Sequence, residues 1–482
     1  EGFLLPMAPV AEVAAPLRAQ EAPASIREVT TQIFAQAGPS ALSNLFAFAP
    51  ELANTIFIGR YGNKDQLAAV GLGNMMQNVF GLSIGIGLCC ALDTLASQAH
   101  GSGELKLACI YAQRARLILS IQLVWMWPLL ACCDVWLTAL GQDPTVARLA
   151  AEYNSTAAPF LLIFFQNLCF RRLLSAFLKP QYSMMITGIT TVFHVGWVEL
   201  FVGRLQLGNR GLGLANGVTW TTRLVLFMCV WWKLAPALGV RRHWVLCFQS
   251  ESLRGWGGFL KLGLPALVQT SSEWWFFEIC ALVVGYLGET PLAAHVATAQ
   301  FVSLPFMVPI GIGTGASMLA GNAIGSGSAR MARRIAGVSI GIMVVAWAVV
   351  AVLIGVFLHI IAAALAKDAG VQSIIRFLLA IYVVQGFADS TQNCMSSILR
   401  GLGQTRIPSI TYLVMFYLVM LPLAIVLAFP MHIGVKGVWF ATGAGTTLAA
   451  VIFARVLYKM DYEALVRDAR KRIEDDGNSI QG

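Results

Sequence analysis

A chain of 482 residues in which 57% are hydrophobic and only 12% are charged carries more apolar surface than one soluble core could bury. Its net charge of +9 fits basic loops at a membrane surface and gives no support to a nucleic-acid partner. The ten cysteines follow no spacing typical of a disulfide framework or a zinc site. The composition therefore predicts an integral membrane protein that needs neither a metal nor a cofactor.

Three long stretches of the chain contain no charged residue. Asp, Glu, Lys and Arg are absent from 66–92, from 335–366 and from 407–435. Each stretch exceeds the roughly 20 apolar residues that cross a bilayer core. Lipid offers no partner to backbone groups, so such runs must be helices or barrel strands, and barrel strands would alternate apolar and polar residues. These runs are apolar on both faces, which favours helices.

Charged and turn-forming residues divide the chain into twelve predicted spans. They are 29–57, 67–98, 108–139, 148–176, 182–203, 211–233, 255–286, 292–323, 332–364, 372–400, 407–429 and 434–457. The predicted division is a mobile cytoplasmic tail at 1–28, an N-terminal six-helix lobe at 29–238, a cytoplasmic connector at 239–254, a C-terminal six-helix lobe at 255–459 and a cytoplasmic tail at 460–482. The fold class predicted is an all-α polytopic membrane protein.

The basic residues indicate an orientation. With both termini in the cytoplasm, 24 of the 33 Lys and Arg residues fall on the inner side, eight fall on the outer side, and Arg223 lies within a span. This excess matches the positive-inside rule. The counting assigns Arg171 and Arg172 to the inner end of the fourth span.

The two halves of the chain repeat one pattern at an offset of about 225 residues. Gln98-Ala-His-Gly101 matches Asn322-Ala-Ile-Gly325, and Pro39 matches Pro265. Six spans in each half give the two copies the same orientation, so they are parallel repeats about an axis along the membrane normal. Such halves typically enclose a central cavity and rock to expose it alternately to either side. The pattern predicts a secondary transporter.

Several segments resemble a known family. They are Ala37-Gly-Pro, Ile58-Gly-Arg-Tyr-Gly, Ala91-Leu-Asp-Thr-Leu-Ala-Ser-Gln-Ala-His-Gly, Leu399-Arg-Gly-Leu-Gly-Gln and Glu273-Trp-Trp-Phe-Phe-Glu278. In this order, with twelve spans and the repeat, they make residues 29–459 similar to the multidrug and toxic compound extrusion (MATE) family. The Glu-Trp-Trp…Glu element is typical of eukaryotic members.

The resemblance implies a monomeric antiporter of the plasma membrane or a vacuolar-type membrane that exchanges protons for organic cations or drug-like molecules. An organic anion or plant-type metabolite as cargo, or sodium coupling, are the alternatives. A basic cavity would be expected for an anion, and only Arg223 lies within a predicted span proper. No Walker-type nucleotide motif and no converging catalytic set is present, so neither an ATP-driven pump nor an enzyme is favoured.

Acidic residues within spans are candidate functional residues, because a lone charge in lipid costs several kcal/mol. They are Glu51, Glu199, Glu273, Glu278 and Asp389. A buried carboxyl can hold either a proton or a cation, which is the minimum requirement for exchange. The two glutamates of the seventh span point about 140° apart, so one is expected to face the cavity and the other a neighbouring helix. Glu273 is the predicted proton carrier.

The resemblance adds further site residues. It implies that Asp389 works with Glu273, and that Gln300 occupies a position where some animal relatives are acidic. Many prokaryotic relatives carry a first-span aspartate where this chain has Asn54, which cannot titrate. Glu51, one helical turn earlier, either replaces that aspartate or forms an interhelical hydrogen bond.

Other polar residues within spans favour structural roles. Glu199 and Arg223 are predicted to form a pair between the fifth and sixth spans. His194 and His295, each alone among apolar residues, are predicted to be held by hydrogen bonds.

Overall fold

The computed structural model describes residues 25–481. The tail predicted at 1–28 therefore lies mostly outside the described residues. Its last three residues belong to the first helix, which corrects the predicted boundary. That helix begins at Ile26 because Ser25 and Glu28 form a reciprocal capping box at its N-terminus.

The described chain is helical, with two lobes of six spans each. The N-terminal lobe contains α1 (Ile26–Tyr61), α2 (Lys64–Ser102), α3 (Leu105–Ala131, continued by Cys133–Ala139), α4 (Pro144–Ala176), α5 (Pro180–Arg204) and α6 (Gly208–Leu234). The C-terminal lobe contains α7 (Trp256–Gly285), α8 (Glu289–Ser303 and Met307–Gly325), α9 (Ala329–Leu365), α10 (Ala369–Gly401), α11 (Arg406–Ala428) and α12 (Val435–Lys459). A further helix, α13 (Tyr462–Gln481), follows.

The twelve predicted spans are confirmed, with ends displaced by a few residues. Ten helices within 25–481 have both the length and the hydropathy of a membrane span. The two long helices outside that group, α6 and α7, have 27 and 30 residues. At 1.5 Å per residue, 27 residues extend about 40 Å, enough to cross the bilayer core.

The repeat is visible in how the lobes pack against each other. A Cβ atom on Gly87 of α2 would lie 2.5 Å from the Cα atom of Leu267 on α7. A Cβ atom on Gly311 of α8 would lie 2.4 Å from the Cβ atom of Ala41 on α1. Each lobe therefore offers a glycine at which a helix of the other lobe approaches, and the two contacts are related by the repeat.

A second pair of glycines brings the lobes into backbone contact at one face of the molecule. We call this the connector face; it carries the ends of α2, α4, α6, α8 and α10 and the α6–α7 connector. A Cβ atom on Gly101 would lie 2.1 Å from the carbonyl oxygen of Asn322, and one on Gly325 would lie 2.0 Å from that of Gln98. His100 Nδ1 and Asn322 Oδ1 are 2.5 Å apart. The matching motifs found in the sequence thus contact each other, and the lobes are closed here.

The connector runs over the N-terminal lobe as short helical turns at His243–Leu246 and Ser250–Leu253. The Gln113 side chain of α3 holds it by donating to the carbonyl oxygens of Trp244 and Cys247, at 2.5 and 2.9 Å. Lys106 of α3 forms an ion pair with Glu251 at 3.0 Å. The connector therefore moves with the N-terminal lobe.

Helix α13 spans the connector face from one lobe to the other. Leu465 packs into the core of the C-terminal lobe, whereas Ile473 packs into the core of the N-terminal lobe. Arg472 donates to Gln98 Oε1 at 3.0 Å, and Asp476 accepts a hydrogen bond of 2.5 Å from Tyr111 of α3. This helix therefore joins the two lobes where they are closed.

Candidate functional site

The acidic segment of α7, Glu273–Glu278, lies between two π-helical turns of neighbouring helices. One is Asn78–Leu82 in α2, and the other is Val414–Met420 in α11. The Trp275 indole donates to the carbonyl oxygen of Val79 at 3.0 Å, and the Tyr417 hydroxyl donates to that of Ser272 at 3.3 Å. Single π-helical turns inside α-helices are frequent at functional sites, so their position on both sides of this segment makes the segment a candidate functional site.

Glu273 points into the C-terminal lobe. Its carboxyl is half-buried and close enough to that of Asp389 on α10 for the two charges to interact. The positive charge of the Arg400 guanidinium, near the end of α10, also interacts with the Glu273 carboxyl. The buried Tyr412 of α11 interacts electrostatically with both carboxyls, and its hydroxyl donates to Ser396 Oγ at 3.3 Å. Helices α7, α10 and α11 thus bring two acids of the predicted site together.

The surroundings of Asp389 contain polar atoms without protein partners. Gln392 Nε2 donates to Asp389 Oδ1 at 3.2 Å. Within residues 25–481, the buried Tyr382 hydroxyl, Ser390 Oγ and Gln392 Oε1 have no hydrogen-bond partner. Buried polar atoms usually find a partner, so this concentration on α10 indicates a place for water or for a polar ligand. The pair can hold a proton on one carboxyl or attract a cation to both.

Glu278 points away from that pair, toward the N-terminal lobe. The Asn78 side chain in the π-helical turn of α2 interacts with its carboxyl. Its charge also acts on Glu51 of α1, which in turn acts on Tyr153 of α4. The two α7 glutamates point in different directions and therefore belong to different acid pairs. Glu273 pairs with Asp389 inside the C-terminal lobe, and Glu278 pairs with Glu51 across the lobes. The sequence left open which of the two glutamates faces the cavity and which faces a neighbouring helix; Glu278 is the one that interacts with residues of the N-terminal lobe.

Asn54 belongs to a neutral hydrogen-bonded network inside the N-terminal lobe. Its amide donates to Asn216 Oδ1 at 3.1 Å, and its Oδ1 lies 3.1 Å from His194 Nε2. His194 Nδ1 lies 2.8 Å from the Thr219 hydroxyl, so both ring nitrogens have partners. The predicted hydrogen bonding of His194 is confirmed. That of His295 is also confirmed, since the Trp439 indole donates to its Nδ1 at 3.1 Å.

Three residues singled out from the sequence lie away from both acid pairs. Gln300, on the first segment of α8, is exposed and takes no part in the hydrogen bonds of either acid pair described above. The predicted pair of Glu199 and Arg223 is wrong. Glu199 accepts a hydrogen bond from the Tyr61 hydroxyl at 3.0 Å, whereas Arg223 donates to Thr190 at 3.0 Å. Thr190 precedes Glu199 by about 13 Å along α5, so Arg223 lies too deep in the lobe to reach it.

Sequence reasoning missed Asn78, Tyr153, Tyr412 and Arg400. Asn78 carries a weak signal, because it is an amide within a long uncharged stretch. The two tyrosines resemble ordinary core aromatics in sequence, and only their helix packing brings them to the acids.

A bundle of two parallel six-helix lobes with paired acids inside its membrane spans is a multi-pass membrane transporter. A family model described as MatE matches residues 39–197 and 265–426, one segment in each lobe. The matched segments cover more than half of the chain, and the chain belongs to the MatE family.

Relatives extend this similarity over most of the chain. The chain is 30% identical over 452 residues to the human multidrug and toxin extrusion protein 1, covering 92% of this chain and 77% of the human protein. It is 29% identical over 452 residues to the Danio rerio protein of the same name, covering 93% of this chain and 75% of that protein. These named relatives are transporters.

Solved structures are similar in fold. The crystal structure of the eukaryotic MATE transporter AtDTX14 superposes with a TM-score of 0.87 at 20% identity, covering 93% of this chain and 99% of that one. The Vibrio cholerae MATE transporter VcmN in its bent form superposes with a TM-score of 0.79 at 17% identity, covering 93% and 99%. These similarities establish the architecture of two six-helix lobes.

Proposed function

We propose that the protein is an antiporter that exports organic cations or drug-like molecules in exchange for protons. The observation that carries the proposal is that Glu273 and Asp389 lie inside the C-terminal lobe near enough for their charges to interact, beside buried polar atoms of α10 without a hydrogen-bond partner among residues 25–481. Relatives named for multidrug and toxin extrusion support this class of cargo.

The exchange follows from the charges of the pair. With no ligand bound, two ionised carboxyls repel each other, and burial adds a desolvation cost. A proton removes one of the two charges, and a bound monovalent cation offsets one charge in the proton's place. Protons and cation therefore compete for Glu273 and Asp389, so loading one releases the other. The half-buried Glu278 and Glu51 supply a second negative region between the lobes, which attracts the cation without being the proton carrier in this proposal.

The lobes supply alternating access. We take the connector face as cytoplasmic, because most of the basic residues lie on that side and anionic lipids favour them there. The backbone contact at Gly101 and Gly325 then corresponds to the state that is closed to the cytoplasm. Rocking of one lobe against the other would open it. In this proposal both termini are cytoplasmic, and the protein acts as a monomer, without catalysis, in the plasma membrane or a vacuolar-type membrane.

Uptake of tetraethylammonium into proteoliposomes under an imposed pH gradient tests the proposal. The wild-type protein is expected to take up the cation, and Glu273→Gln is expected to lose at least about tenfold of the rate, because the neutral amide cannot exchange a proton. Glu289→Gln, at the exposed start of α8, is the matched control and should transport normally. Gel filtration and thermal melting check folding. Uptake driven only by a sodium gradient, or equal rates for both variants, would contradict the proposal.

A further inference from the structure

Two arginines meet inside the N-terminal lobe. Arg223 lies in the middle of α6 and is only 6% exposed. Arg171, which the sequence assigned to the inner end of the fourth span, lies on α4 more than one helical turn before its end at Ala176. Ser43 Oγ of α1 and Thr187 Oγ1 of α5 lie 3.5 Å apart beside the residues that hold these two side chains, and the two charges act on each other. The lobe interior therefore holds the Arg171 guanidinium in addition to that of Arg223.

Neither guanidinium is neutralised by a carboxylate. Arg223 Nε donates to the Thr190 hydroxyl at 3.0 Å, and Arg171 Nη1 donates to Asn44 Oδ1 at 2.9 Å. Both of these acceptors are neutral. Asp93, the carboxylate that acts on Arg171, is itself ion-paired with Arg172. Arg223 Nη2 is buried and has no hydrogen-bond partner among residues 25–481.

Such a pair is unfavourable unless something binds to it. A buried charge without a partner carries a large desolvation cost, and two like charges add repulsion. His194, the other titratable side chain on which Arg223 acts, contributes no negative charge. Each guanidinium presents five N–H donors in a planar fork that matches the two oxygens of a carboxylate or sulfonate. An oxyanion at this place would offset one of the two charges, interact favourably with both guanidinium groups and accept from the unpaired Nη2.

We propose that Arg171 and Arg223 bind the anionic group, a carboxylate or a sulfonate, of an organic solute. Asn44 and Thr190 hold the two side chains in position from α1 and α5. A positively charged site extends the range of cargo from cations to molecules that also carry a negatively charged group. It lies in the lobe opposite to Glu273 and Asp389, so one zwitterionic molecule has a matching group in each lobe.

Titration of sodium benzoate into the purified protein, in nanodiscs of phosphatidylcholine, tests this site by calorimetry. The wild-type protein is expected to bind benzoate saturably. Arg171→Gln and Arg223→Gln are each expected to weaken binding at least about tenfold, as loss of a charge-assisted bidentate contact should. Arg210→Gln is the matched control, since Arg210 lies on the same helix but pairs with Glu152 at 3.4 Å near the surface. The control should bind benzoate like the wild type.

If a glutamine variant fails to fold, the corresponding lysine variant keeps the charge and loses the fork. It is expected to bind with intermediate strength. Absence of saturable benzoate binding by the wild-type protein, or equal weakening by Arg210→Gln, would overturn the proposal. Binding of inorganic phosphate without benzoate, or loss of benzoate binding in discs that contain phosphatidylglycerol, would assign the pair to an inorganic ion or a lipid headgroup and also overturn it.

Tetraethylammonium uptake in the same preparation separates this inference from the proposed function. If the protein takes up the cation but does not bind benzoate, only the proposed anion site is refuted. Benzoate binding without uptake of the cation leaves the anion site standing and removes proton–cation exchange.

Discussion

The two lobes share one backbone pattern and differ in the charges they enclose. The C-terminal lobe holds Glu273 and Asp389 close together, with unpaired polar atoms around them. The N-terminal lobe holds neutral amides around Asn54 and two arginines without a carboxylate partner. A repeated fold therefore does not imply a repeated site. Under the proposed function, proton exchange belongs to the lobe that encloses the paired acids, and the other lobe is free to select the cargo.

The largest expected effect comes from removing one acid of the C-terminal pair. Asp389→Asn should lower pH-driven uptake of tetraethylammonium at least about tenfold, because the remaining Glu273 carboxyl loses the neighbouring negative charge that helps to attract the cation. Asn54→Ala, in the N-terminal lobe, should change the rate less than about threefold. Rates in proteoliposomes with equal amounts of reconstituted protein measure both. Equal losses in the two variants would show that the lobes share the coupling.

The next effect tests what the lobes have in common. Gly101→Ala and Gly325→Ala each place a Cβ atom about 2 Å from the backbone of the other lobe. Each should lower stability by about 1–3 kcal/mol in this closed state, and by similar amounts, because the contact is symmetric. Melting temperatures of the purified protein measure the loss. Gly337→Ala on α9, where no atom lies within 4 Å, is the control and should melt like the wild type. Clearly unequal losses would mean that the two contacts are not equivalent.

A third effect sharpens the difference at Asn54. Asn54→Asp removes the donor to Asn216 Oδ1 and sets a carboxylate against that oxygen, so the protein should lose about 1–3 kcal/mol of stability. Asn63→Asp makes the same change at the N-cap of α2, where either residue serves, and should change stability by less than about 0.5 kcal/mol. Thermal melting compares the two. Rescue of uptake by Asn54→Asp in the Asp389→Asn protein would show that the N-terminal lobe can also couple protons.

The smallest effect concerns the connector on the N-terminal lobe. The pKa of the Glu251 carboxyl is held below its ordinary value of 4.5, first by the backbone amide of Glu251 and then by the Lys106 ammonium. The ion pair therefore contributes stability above pH 4.5, and the contribution is lost as the pH falls through the lowered pKa. Because both side chains are partly exposed, Lys106→Gln should cost less than about 1 kcal/mol at pH 7. Melting temperatures at pH 7 and pH 4 measure it. A loss that grows toward pH 4 would contradict this sign.

Much of the architecture could be predicted from the sequence because charged residues avoid lipid. The uncharged stretches and the repeat gave the number of spans, and the matching motifs around Gly101 and Gly325 proved to be where the lobes contact. Intramembrane acids are few, so Glu273, Glu278 and Asp389 could be selected by composition alone.

The partners of these residues could not be predicted, because they depend on helix rotation. The π-helical turn in α2 sets where Asn78 points, and its presence has no clear sequence signal. The pairing of Glu199 with Arg223 failed because their relative depth depends on how α5 and α6 are staggered. The number of intramembrane arginines was underestimated because Arg171 lies near a helix end, where sequence cannot separate buried from snorkelling side chains.

The glycine contact at the connector face also determines how opening proceeds. The dispersion attraction between backbones in direct contact loses roughly a quarter to a half of its strength over a gap of about 0.5–1 Å, and Gly101 and Gly325 have no side chain that could bridge such a gap. Separation at this face is therefore all-or-none rather than gradual. A single-molecule distance trace across the lobes should jump between two values, with dwell times that depend on the ligand while the two distances stay fixed.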